Sequence, residues 1–121
     1  MNRTEQVKAL RPLIISDENK DSLSNENFQN ITLRPILKFQ NELILALITN
    51  HLINLKLPKN IQEKQMVLQN SILKNQVMKQ QIIGLVIGLF TISEIDYYIK
   101  NQTEINKRIS QLVVKRVTNQ L

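Results

Sequence analysis

His51 is the only histidine in the chain, so any two-histidine metal motif or Ser-His-Asp triad would depend on this residue alone, and no partner cluster accompanies it. It reads as a solvated histidine on a helix flank. Arg11 and Arg34 each precede a proline. A guanidinium held at a fixed helix entrance can grip a carboxylate or phosphate with two parallel hydrogen bonds, although an exposed or ion-paired arginine is the plainer reading. Glu94 and Asp96 stand two residues apart and do not share a helix face, so no carboxylate dyad is implied. Tyr97 and Tyr98 are adjacent and point apart, so at most one is expected to be buried. No catalytic, cofactor-binding or metal-binding set emerges, and no small-molecule substrate can be identified.

Two patterns suggest contact with other molecules. Gly84 and Gly88 are four apart, which puts two positions without side chains on one helix face where another helix can come close. That face is expected to pack within the bundle or across a homodimer. Near the C-terminus, Glu104, Lys107, Arg108, Gln111, Lys115 and Thr118 fall on one side of a helix, with Ile105, Ile109, Leu112 and Val113 on the other. With Arg34, the cations Lys107, Arg108 and Lys115 are the candidate contacts for an anion or nucleic acid, through phosphate neutralisation. A solvated face with an i,i+4 pair from Glu104 to Arg108 explains the same residues, and no aromatic residues interleave as a single-strand stacking platform would need.

Composition bounds these readings. The 121 residues fit one domain, and 42% hydrophobic with 21% charged residues is enough apolar content to fold. The net charge of +6 favours encounter with polyanions without specifying one. The many Asn, Gln, Ile and Lys residues are attributable to nucleotide composition. Disulfides, thiolate metal sites and a cysteine nucleophile are excluded because there is no cysteine. The first eight residues are polar and mixed in charge, which leads to the expectation of a cytoplasmic protein. The most apolar run, 82–92, is well short of the roughly 20 residues of a membrane span and reads as a buried helix.

Those side chains must be positioned by helices. Asn2 and Glu5 have cap spacing ahead of Val7, Leu10, Leu13 and Ile14, with Pro12 as an interruption. Residues 16–27 read as a polar linker, so residues 1–27 form a short helix plus linker and 28–121 the bundle core. Residues 28–57 carry the strongest helical periodicity and are expected to form the central helix, with Pro35 near its start or at a kink and Pro58 ending it. A third helix follows the cap pair Asn60 and Glu63. The stretch 74–81 is either a turn or the exposed entry to a fourth helix, which carries the apolar run. Thr91 with Glu94, and Asn101 with Glu104, repeat the capping-box spacing and open a short fifth helix and a last one through Val117. Period-two alternation is absent. The segments 9–14 and 32–37 echo each other as Ala-Leu-Arg-Pro-Leu-Ile and Thr-Leu-Arg-Pro-Ile-Leu, too briefly to define a repeat.

Leu33-Arg34-Pro35-Ile36-Leu37-Lys38, the following Asn41-Glu42-Leu43-Ile44-Leu45 and the later Gly84-Leu85-Val86-Ile87-Gly88-Leu89-Phe90-Thr91 give the chain, over nearly its whole length, a likeness to a small bacterial all-helical family. It resembles members that carry the label glyoxalase. The label implies a metal-dependent fold of βαβββ units with His and Glu ligands, whereas one histidine and no strand pattern are present here, and the resemblance carries over no functional residues. The expectation is therefore an all-α single bundle of about five helices without a cofactor. It is expected to be non-enzymatic and to act as a homodimeric interaction protein, ahead of a nucleic-acid-binding regulator and a glyoxalase-type enzyme.

Overall fold

The computed structural model describes residues 2–11 and 24–121. Every regular element among them is helical: α1 Arg3–Leu10, α2 Asn25–Phe28, a π-helical turn Gln29–Leu33, α3 Arg34–Phe39, α4 Asn41–His51, α5 Ile61–Leu73, α6 Gln76–Ile87, α7 Ile92–Lys100 and α8 Gln102–Gln120. The all-α class expected from periodicity holds, and the described residues contain none of the strands a βαβββ fold would need. There are more helices than expected because long periodic stretches are interrupted. Pro12, Leu13, Ile14 and most of the expected linker lie outside the described residues. Asn25 to Asn27, expected in the linker, instead open α2 under a Ser24 cap.

Helix starts are set by short polar side chains. Asn2, Ser24, Asn60, Asn75 and Thr91 each accept a hydrogen bond from the backbone N–H three residues on, satisfying a donor that the helix leaves unpaired. Asn75 settles the ambiguous stretch 74–81: Lys74 and Asn75 turn the chain and α6 begins at Gln76. Asn101 departs from expectation. It is the single residue between α7 and α8, with φ −127° and ψ 29°, and makes no cap bond to α8. Its Nδ2 donates instead to the Tyr97 carbonyl at 3.0 Å, at the C-terminal end of α7.

The expected central helix, 28–57, is not a single helix. A proline ring inside an α-helix clashes with the carbonyl four residues back and supplies no donor. The wider π turn Gln29–Leu33 precedes Pro35 and accommodates it, closing with the Arg34 N–H on the Gln29 carbonyl. Gln40 then leaves helical geometry with ψ 5°, and its side-chain Nε2 donates to the Leu85 carbonyl at 2.9 Å. The helix stops at His51, before Pro58, because Leu52 turns inward and is buried while Ile53 and Leu55 stay exposed.

The central element is α8. Ile105, Ile109, Ser110, Leu112, Val113, Val114, Val117 and Thr118 are all buried, so apolar surface wraps most of its circumference. Val114 and Thr118 lie beyond the apolar face expected from the sequence. Thr118 is tolerated there because its hydroxyl donates to the Val114 carbonyl at 2.7 Å. The longest helix pairing is α5 along α8, while the π turn, α6 and α7 complete the wrap. Leu33, Ile36, Ile48, Leu68, Ile72, Val86, Ile105 and Ile109 are almost fully excluded from solvent. Within the apolar run 82–92, Ile82, Val86, Phe90 and Thr91 are buried, and Ile83, Leu85, Ile87 and Leu89 are partly buried against the same core.

Ile109, at 0% exposure on the middle of α8, tests this arrangement. Ile109→Ala should lower unfolding free energy by about 2–5 kcal/mol, as for other buried aliphatic truncations. Urea denaturation followed by circular dichroism measures it, and a loss under about 1 kcal/mol would contradict a core centred on α8.

Candidate functional site

Two constellations of polar side chains stand out, at opposite ends of the burial scale. The first surrounds Glu94. α6 ends at Ile87, and the carbonyls of Gly88, Leu89 and Phe90 have no helical continuation. Arg3 Nη2 donates to Gly88 at 3.1 Å and to Phe90 at 3.2 Å, and Arg11 Nη1 donates to Leu89 at 3.2 Å. Arg11 also grips the Glu94 carboxylate with both terminal nitrogens, Nη1 to Oε1 at 2.6 Å and Nη2 to Oε2 at 2.9 Å. The Thr91 N–H donates to Oε1 at 2.8 Å and the Thr32 hydroxyl to Oε2 at 3.0 Å. The Glu94 N–H in turn donates to Thr91 Oγ1, which completes a reciprocal capping box.

Burial of Glu94 raises its pKa. The Arg11 hydrogen bonds, the Thr91 N–H, the Arg11 charge and the Thr32 hydroxyl together outweigh burial and hold the carboxyl below the usual carboxylate value. With side-chain exposures of 8% for Arg11 and 13% for Glu94, the pair is a structural clamp that ties α1 to the start of α7. Arg11 takes the plainer of the two readings, that of an ion-paired arginine, with its carboxylate inside the chain. Arg34 instead donates to Asn30 Oδ1 at 2.9 Å on an exposed helix flank.

The second constellation is a groove of about 840 Å³ between α5, α6, α7 and α8. Its apolar part is Leu73, Ile83, Ile87 and Tyr98. Around these stand six side-chain amides, Gln69, Gln76, Gln80, Gln102, Asn106 and Gln111, with Lys79 on the α6 wall and Lys107 on the α8 wall. No carboxylate is among the described residues that line it. Gln76, Gln80, Ile83 and Ile87 follow each other at steps of four, three and four, the seam spacing of a helix that meets another helix. The seam runs roughly 16 Å along α6, from the rise per residue of an α-helix.

Gly84 lies in this seam. A Cβ built on it would meet no atom within 4 Å among the described residues, so the packing within the bundle expected at the glycine pair is not made at Gly84. Gly88 belongs elsewhere, in the turn after α6 where Arg3 holds its carbonyl. A Cβ there would come within 3.3 Å of the Gly84 carbonyl. The two glycines therefore share a helix flank without sharing a site.

The basic stripe is only partly assembled. Lys107 and Lys115 are exposed, but Arg108 donates to Glu104 at 3.2 Å and to Gln29 at 3.0 Å, and Thr118 is buried rather than on the stripe. His51 is exposed in the last turn of α4. Tyr98 is buried and Tyr97 half-buried. Their hydroxyls donate to Asn106 and Asn25 Oδ1, both at 2.6 Å. Burial pushes the Tyr98 phenol above its usual pKa, against smaller opposing contributions from Asn106 and Gln102.

Of the groove amides the sequence singles out Gln111 alone, and a high Asn and Gln content hides the other five. The signal is the four-three-four spacing of residues 76, 80, 83 and 87, which straddles the ambiguous stretch 74–81 and the apolar run 82–92. Compared with family models, curated proteins and solved structures, the chain matches none. Among the described residues no group of three His, Cys, Asp or Glu is placed to hold a metal ion, and no helix is long and apolar enough to cross a membrane.

Because the folded pKa of Glu94 is depressed, its contribution to stability is fully present above the unfolded carboxylate value and is lost as pH falls through the lower folded value. Wild-type stability should therefore fall on acidification through that window. Glu94→Gln should lose on the order of 3 kcal/mol at neutral pH, since Arg11 is left without its counter-charge, and should show a flatter acid limb. Equal acid limbs in urea titrations of the two proteins would count against the clamp.

Proposed function

We propose that this protein is a non-catalytic interaction module that associates with a second copy of itself through the α5–α8 groove. The observation that carries the reading is Gly84. Glycine inside a helix costs about 0.5–1 kcal/mol relative to alanine, and nothing in the described fold needs the missing side chain. Close approach of another helix to α6 supplies a reason. The surrounding seam suits an identical partner, because each side-chain amide offers both donors and an acceptor and one amide set can satisfy its own copy about a two-fold axis.

The chemistry of the titratable groups also favours binding over catalysis. Glu94, the carboxylate most enclosed by partners, has both oxygens engaged and a lowered pKa, the reverse of what a general acid at neutral pH needs. His51 sits on the exposed end of α4, and the groove walls offer amides, lysines and an engaged tyrosine. Lys107 alone of the four anticipated cations lines the groove, so a separate phosphate track along α8 has less support than the groove itself.

Sedimentation velocity tests the reading. The wild-type protein should dimerise reversibly, and Gly84→Leu, whose side chain enters open space, should be monomeric with an unchanged circular dichroism spectrum. Gly84→Ala should be about 1 kcal/mol more stable towards urea when measured at concentrations where the monomer dominates. A wild-type monomer at every concentration, or a Gly84→Leu protein that associates as the wild type does, would exclude this interface.

A further inference from the structure

We infer that the α5–α8 groove also takes up a multivalent phosphate anion, and that this uptake is coupled to association of the two copies. The inference rests on the dimer reading. Lys79 and Lys107 line the groove from two different helices, and no carboxylate is among the described lining residues. Seating a second copy brings a second such pair to the same interface, on a chain that already carries +6. Ammonium groups withdrawn from water in one interface need a counter-charge, because desolvation and mutual repulsion otherwise oppose closure.

The described residues of the groove walls include no carboxylate to supply that charge. Glu104 does not line the groove and pairs with Arg108 at 3.2 Å, and Glu94 is held by Arg11. An oxyanion lying between Lys79 and Lys107 supplies it and finds amide N–H donors beside it in Gln80 and Gln111. Two charges per copy suit an anion with several charged oxygens over chloride. Free polyphosphate and the backbone of a single-stranded nucleic acid present the same chemistry, so they are separated by experiment.

The test is the dimer dissociation constant by sedimentation equilibrium in sodium chloride and in sodium triphosphate at matched ionic strength, for the wild type and for the Lys79→Gln, Lys107→Gln double variant. Triphosphate should tighten the wild-type dimer at least about fivefold, the lower end of ordinary coupling between sites. The double variant should lose this response and should dimerise more tightly than wild type in chloride, since like charges have been removed. A merely structural role for the lysines would weaken the dimer in both salts. A short oligodeoxythymidine in place of triphosphate identifies nucleic-acid backbone as the source if it tightens the dimer more per phosphate, and free phosphate if it does not. A wild-type dimer with equal dissociation constants in chloride and in both phosphate compounds would overturn anion coupling and leave the interface standing. Monomer under all conditions would overturn the interface and the coupling together.

Discussion

The chain reverses between Ile87 and Ile92, and one carboxylate organises that reversal. Glu94 closes the capping box that starts α7, accepts the Thr32 hydroxyl from the π turn and holds Arg11 from the end of α1. Arg11 and Arg3 in turn take up the three carbonyls left when α6 stops. Phe90, in the same turn, is buried with its ring edge-on to Phe28 at 5.6 Å and to Tyr98 at 5.7 Å. Three parts of the sequence, near residues 11, 32 and 94, thus converge on a single anion. Charge-assisted bonds in a half-buried setting are directional, so they fix where α7 leaves α6 as well as adding stability.

That departure angle shapes the surface. α6 buries Ile82 and Val86 against the core, while its next stripe, Ile83, Gly84 and Ile87, faces the groove. Were α6 to continue through Gly88 into α7, Tyr98 and the start of α8 could not lie across from that stripe. The clamp is therefore connected to the groove by geometry: the buried ion pair sets the turn, and the turn sets the spacing of the walls. The side chains that hold this turn are not those that line the groove. Arg11 and Glu94 are fully engaged, whereas of the groove amides Asn106 and Gln102 engage the Tyr98 hydroxyl and Gln69, Gln76, Gln80 and Gln111 are exposed.

Local rules made much of this legible. Apolar spacing along 105–117 announced α8, and the Thr91 to Glu94 spacing located the reciprocal capping box, because both depend on residues within one or two turns. The break at Gln40 depends on Leu85, and the enclosure of Arg11 on Glu94, partners 45 and 83 residues away, which no local period encodes. Asn101 shows the same limit at short range. Its type and spacing fit an N-cap, but its side-chain amide is turned towards the end of α7, where Nδ2 donates to the Tyr97 carbonyl. Burial of Val114 and Thr118 likewise reflects how many neighbours surround α8, a property of the assembled bundle.

The contrast between Gly84 and Gly88 separates two uses of the same residue. At Gly88 the 3.3 Å from a built Cβ to the Gly84 carbonyl is the ordinary helical distance to the residue four back, which the Gly88 N–H already reaches at 2.9 Å; what Gly88 adds to the fold is its own carbonyl, held by Arg3. At Gly84 the space is open and the helix would be more stable with almost any other good helix former. A position that weakens its own helix, in the middle of a seam with the spacing of helix contact and flanked by amides and lysines, is better explained by what lies against it than by what lies beneath it. In the proposed dimer the lysines limit what that neighbour can be, since two cations facing a groove whose described walls hold no carboxylate oppose closure. In the reading we propose, the surface that would bring two copies together is also the one whose lysines call for an anion, so one set of side chains would couple the two events.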